Sequence, residues 1–231
     1  MEARERPGRT IGILIFLQML GSGLVNFALE APLSGSPGFL TNAALHPYQL
    51  GLAVVLGLMT EALWLGIAIA AFPTVYPRSK RLMLWFLALA GVILAITVVE
   101  SIGVMSMLSV SQAYARATHG SRAQLDAVGV IVSSVRDWAH ILVRLAHGAA
   151  LLAFYSVLYR CALIPSPLAG VGLIAAISLV VGIGMPLFGY DVAFPLLAPM
   201  GVSQLLLALW LIAKDFRSAP GLPGAGRLTT A

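Results

Sequence analysis

LMLWFLALAGVILAITVVESIGVMSMLSV, residues 82–110, runs for 29 residues with a single ionisable side chain, Glu100. The hydrocarbon core of a bilayer is about 30 Å thick, and a helix needs ~20 mainly apolar residues to cross it. The stretch therefore reads as a membrane span. It is longer than the core requires, so the helix is tilted or emerges from the membrane.

Working outward, five further stretches pass the same test: about 10–30 and 47–72 before it, and about 130–159, 167–188 and 193–213 after it. Prolines stand at the joints, among them Pro32, Pro47, Pro73, Pro77, Pro165, Pro167 and Pro186. Each disfavours helix at the residue before it, which makes these natural boundaries. The expected architecture is all-α: a six-helix transmembrane bundle over residues 10–216, with a short segment 1–9 before it and a disordered tail 217–231 after it. The first span resembles a signal peptide in its charge pattern. Its apolar run is span-length, however, and no small-residue cleavage site follows, so it is read as retained.

Composition agrees. Hydrophobic residues make up 59% of the chain and charged ones 10%, against about 25% charged in an ordinary soluble domain. With a mean hydropathy of +0.94, the polar surface is too small to cover a soluble core, and disorder is excluded. One cysteine, Cys161, excludes a disulfide framework and any cysteine-based metal site. A net charge of +5 spread over 231 residues makes no nucleic-acid surface.

Lysine and arginine in the short loops set the orientation. Ten of them (Arg4, Arg6, Arg9, Arg78, Lys80, Arg81, Arg160, Lys214, Arg217 and Arg227) fall on one side, and Arg116 and Arg122 on the other. Both termini are therefore expected in the cytoplasm.

Ionisable residues inside a span are costly and by default face the bundle interior with partners. The fourth span carries Asp137, His140, Arg144 and His147, which at 100° per residue share an arc of about 80°. Glu61 and Glu100 are the acids of the second and third spans, and Gln18, Ser22, Asn26 and Glu30 form a seam of four-residue spacing on the first. Depth matching pairs Glu61 with Arg144 and Glu100 with His140. The candidate acids for any chemistry are Glu61, Glu100 and Asp137, and the candidate ligand-binding side chains are His140, Arg144, His147, Asn26 and Glu30. Such pairs also serve as interhelical glue. The clustering of four ionisable residues opposite two carboxylates favours a site.

No cofactor or metal is expected. A b-type haem needs histidines from facing helices, and the remaining two, His46 and His119, fall in loops. Zinc needs three or four converging ligands, which no spacing here demands. Phosphate-binding loops, dinucleotide fingerprints, HExxH and nucleophile elbows are absent. Two functions stand out: a pocket between the first four spans that holds a small ligand or proton, and a membrane-embedded enzyme in which Glu61 protonates a lipophilic, isoprenoid-like substrate. A structural or accessory subunit is the third reading. The expected surroundings are the lipid bilayer of a bacterial inner membrane, with a small lipophilic or polar ligand as partner.

The order of several motifs resembles the bacterial multi-pass membrane family catalogued as domain of unknown function 4386. These are Asp137 and Trp138 opening the fourth span, Tyr159 and Arg160 followed by Ile164 and Pro165, then Pro167, Leu168, Ala169 and Gly170. LALWLIAK, ending at Lys214, is similar to the family's LALWLLVK. The likeness covers roughly residues 9–216 and implies the six-helix fold but no activity. Gln204 stands where the family has Glu, and Arg136 where it has His, so a proton relay through those two positions does not carry over.

Overall fold

The computed structural model describes residues 6–36 and 38–217, and within them the chain is helical with no strand. The first span is compound. Helix α1 (Pro7–Gly23) continues into a π-helical segment, Leu24–Glu30, and a 3-10 turn, Ala31–Ser34. A short α2 (Phe39–Leu45) precedes the second span, α3 (Pro47–Val75). Then come α4 (Lys80–Arg116), α5 (His119–Arg160), α6 (Ser166–Gly184) with its 3-10 extension Met185–Phe188, and α7 (Phe194–Lys214). Six of these helical stretches are long and apolar enough to cross a membrane, in the positions that hydropathy marks. Prolines open α1, α3, α6 and α7, where the missing N–H would be unsatisfied in any case.

The six spans close into a ring, since α1 packs on α3, α3 on α4, α4 on α5, α5 on α6, α6 on α7, and α7 back on α1. Both described ends lie on one side, where Gly8 N–H donates to Asp215 Oδ1 at 2.7 Å. Inside the ring, Ile11, Trp64, Phe86, Ile93, Phe154 and Tyr155 are fully buried. The outward faces carry Leu20, Val55, Met59, Ile69, Ile102, Ile174 and Val202, all exposed. An apolar surface of that extent is a membrane surface. The protein is a multi-pass membrane bundle.

Two expectations change. Residues 111–129 are not a loop: α4 runs 37 residues and α5 runs 42, and only Ala117 and Thr118 separate them. At 1.5 Å per residue, these helices are roughly 55 and 63 Å long, about twice the hydrocarbon thickness, so the α4–α5 hairpin projects from the side opposite the termini. The projecting turns are polar enough (Gln112, Arg116, Arg122, Asp126) to be helical in water, where hydropathy gives no signal. Helix α2, also unforeseen, leans on this hairpin. Ser111 Oγ donates to the Leu40 carbonyl at 2.5 Å, and Asn42 Nδ2 donates to the Leu33 and Gly35 carbonyls at 3.1 and 2.8 Å. The expected tail lies, from residue 218 on, outside the described residues, as do residues 1–5 of the amino-terminal segment.

A buried polar cavity with two carboxylate–histidine pairs

Glu61 of α3, Glu100 of α4 and Arg136, His140, Arg144 and His147 of α5 come together inside the bundle, where Glu30 of the first span meets them. The polar seam Ser22, Asn26 and Glu30 follows its inward face, and Asn26 Nδ2 donates back to the Ser22 carbonyl at 2.7 Å. The π-helical turns occur at this point. Such turns are wider than α-helical ones and are frequent at functional sites. Together these residues line a cavity of about 50 Å³ with Thr60 and Glu61 of α3, Glu100 and Ser101 of α4, and Arg144 of α5. A water needs roughly 10–15 Å³ by this measure, so the cavity has room for a few water-sized molecules.

Three carboxylates face the cavity, and each meets a cation or an imidazole. Glu30 Oε2 accepts from Arg136 at 2.5 Å. Glu100 Oε1 lies 2.7 Å from His140 Nδ1, the expected pair. Glu61 has its expected partner and a nearer one: Arg144 stands 4.0 Å from Oε1, and His147 Nε2 lies 2.7 Å from Oε2. His147 is one helical turn, or about 4.5 Å, deeper than Arg144, which is within the error of counting depth from an assumed span start. Pairing is physically required here, since Glu61 and His147 are only 6% and 5% exposed and an isolated buried charge costs several kcal/mol.

Asp137 lies apart from the cavity. Its side chain is 61% exposed and, among the described residues, pairs with Arg136 at 3.2 Å. The interior residue is Arg136. Replacing Asp137 by Arg136 leaves an arc with the same width of about 80°, so periodicity cannot choose between them. Glu30, the remote partner of Arg136, decides the matter, and that contact is visible only in the fold. Gln204 is partly exposed, and the buried polar group of α7 is Ser203, which bonds Tyr155 Oη at 3.0 Å.

The deepest part of the site has an unusual proton arrangement. His147 Nδ1 lies 2.9 Å from the Val143 carbonyl oxygen, which only accepts, so Nδ1 carries a hydrogen. Nε2 then faces Glu61 Oε2. If His147 were neutral and Glu61 ionised, two lone pairs would meet at 2.7 Å. A proton on either partner removes that repulsion. The approach misses hydrogen-bond alignment, and Glu61 Oε2, His147 Nε2 and the neighbouring Trp64 Nε1 are all buried without a hydrogen-bond partner among the described residues. Trp64 packs edge-on against the His147 ring, with centroids 5.4 Å apart. Sequence inspection passes over Trp64, although its place three residues after Glu61 puts it on the same helix face.

Beyond this point the bundle is sealed. Trp64, Phe86 and Phe154 make a continuous aromatic plug, with centroids 6.4 and 4.9 Å apart. Among the described residues, no three His, Cys, Asp or Glu side chains converge as metal ligands would.

No curated protein matches the chain, and no solved structure does. The family model described as domain of unknown function (DUF4386) matches residues 10–214. That region takes in both carboxylate–histidine pairs and all six spans, and the chain belongs to this family.

Proposed function

We propose that the protein holds an exchangeable proton on the Glu61–His147 pair, at the blind end of a water-sized cavity reached from the hairpin side. We place it in a bacterial cytoplasmic membrane with both termini in the cytoplasm, an orientation supported by ten basic residues on the terminal side against two near the hairpin. The proton reading rests on one observation: with Nδ1 committed to Val143, the 2.7 Å approach of Nε2 to Glu61 favours a proton on the pair.

Access from one side is supported by the chain itself. Residues 10–29, 62–75, 82–99 and 148–159 contain no Asp, Glu, Lys, Arg or His, so no relay of charged side chains continues toward the termini. The protein is thus a one-sided proton-responsive site rather than a conduit. Volume argues against acid catalysis on an isoprenoid-like substrate. Ligand pockets for molecules of that size run to roughly 300–1,000 Å³, several times the 50 Å³ available.

Trp64 supplies the test, because an imidazolium quenches indole fluorescence more than a neutral imidazole does. With Trp85, Trp138 and Trp210 changed to Phe, emission from Trp64 should follow a sigmoid in pH, and His147→Gln should flatten it. Emission independent of pH in the otherwise intact protein would overturn the reading.

A further inference from the structure

We infer that the terminal side of the bundle carries a binding site for the phosphodiester headgroup of an anionic phospholipid, in the cleft between the first turn of α1 and the end of α7. The cleft measures about 300 Å³ and is lined by Arg6, Arg9, Lys214, Asp215, Ile212 and Phe216 among others. Three cations and one carboxylate converge there. That carboxylate is already engaged, since Asp215 Oδ1 accepts the N–H of Gly8 at 2.7 Å and its neighbour Phe216's N–H at 2.7 Å. Three cations against one carboxylate leave the cleft with a net positive charge.

The cleft is built rather than incidental. Asp215 adopts a left-handed backbone, φ +61°, which is disfavoured for a residue with a side chain and is held by these two hydrogen bonds. The turn brings Asp215 and the Phe216 backbone against Gly8 at the start of α1. Gly8 permits the approach, because a Cβ there would overlap the Asp215 carboxylate. Arg9 Nε donates to the Ile212 carbonyl at 3.0 Å, which fixes the guanidinium across the carboxyl end of α7 and leaves its two terminal nitrogens for another acceptor. Among the described residues, Arg6, Arg9 and Lys214 have no carboxylate within salt-bridge distance. A planar guanidinium matches phosphate oxygens in pairs. Ile212 and Phe216 add apolar surface to the lining, against which the first methylenes of an acyl chain would lie. Basic pockets between spans at the membrane surface bind anionic headgroups in this way.

The same chemistry would suit a soluble phosphate ester, and the experiment separates the two. The full-length protein is analysed by native mass spectrometry with phosphatidylglycerol or phosphatidylcholine, and then with phosphatidylglycerol in the presence of glycerol 1-phosphate. We expect preferential retention of phosphatidylglycerol, unaffected by millimolar glycerol 1-phosphate. Arg6→Gln with Lys214→Gln, two side chains that make no hydrogen bond within the described fold, should lower that preference on the order of tenfold or more. Equal retention of the two lipids, or a preference unchanged in the double variant, would overturn the site. Displacement by glycerol 1-phosphate would overturn its assignment to lipid. None of these outcomes depends on the Glu61–His147 proton.

Discussion

His147 Nε2 lies 2.7 Å from Glu61 Oε2, while its other ring nitrogen is bonded to the backbone of its own helix one turn earlier. The imidazole is therefore fixed in plane and tautomer by α5, and α3 brings the carboxylate to it. The energetics of this pair should dominate those of Arg144, which stands 4.0 Å from Glu61 with its side chain 24% exposed.

The consequence is a ranking of couplings. Glu61→Gln and His147→Gln should each destabilise the detergent-purified protein by ~3–5 kcal/mol, because each leaves a buried partner uncompensated. The double variant should lose less than the sum, with a coupling of about 1–3 kcal/mol. The corresponding cycle with Arg144→Gln should give less than about 1 kcal/mol. Thermal unfolding of the six proteins measures both couplings, and a larger one for Arg144 would reverse the assignment.

Close packing between α5 and α6 makes a second prediction. A Cβ on Gly172 would fall within the ring of Tyr155, a side chain that is fully buried and tied to Ser203. Gly172→Ala should cost about 1–3 kcal/mol through overpacking. Gly91→Ala, on the outer face of α4 with nothing within 4 Å, should be neutral or slightly stabilising. Melting temperatures of the two variants decide the point.

Cys161, at the terminal-side end of α5, has its thiol pushed up by partial burial, against which the Arg78 guanidinium pulls it down. Its thiolate fraction at neutral pH is correspondingly below that of an ordinary cysteine, and only the thiolate reacts. Maleimide labelling should be slow at pH 7 and accelerate as pH rises past the usual cysteine range. Arg78→Gln removes the opposing cation and should slow labelling further at pH 7.

Topology is testable independently. Reporters inserted at Ser79 and after Arg217 should read cytoplasmic, and one in the Ala117–Thr118 turn should read external. The reverse pattern would exchange the compartment to which the cavity opens.

Much of the fold is legible in the sequence because a bilayer imposes span length and proline marks the joints. The water-exposed turns of α4 and α5 and the short α2 are not, since hydropathy is silent outside the membrane. In the site, the Glu100–His140 pair follows from depth alone, and the seam Ser22, Asn26 and Glu30 follows from spacing. Arg136 as an interior residue, and His147 as the nearest partner of Glu61, escape for different reasons. An 80° arc admits either Arg136 or Asp137, and a one-turn uncertainty in depth admits either Arg144 or His147 beside Glu61. Both ambiguities are resolved by contacts from other helices, with Glu30 meeting Arg136 and Glu61 meeting His147.

The central claim is that a proton resides on the Glu61–His147 pair. The most direct measurement is ¹⁵N NMR of the His147 ring in protein whose other three histidines are changed to Gln. The account predicts a protonated Nδ1, and an Nε2 signal showing a bound or shared proton at neutral pH that moves when Glu61 is changed to Gln. A bare Nε2 whose signal is unmoved by pH and by Glu61→Gln would contradict it.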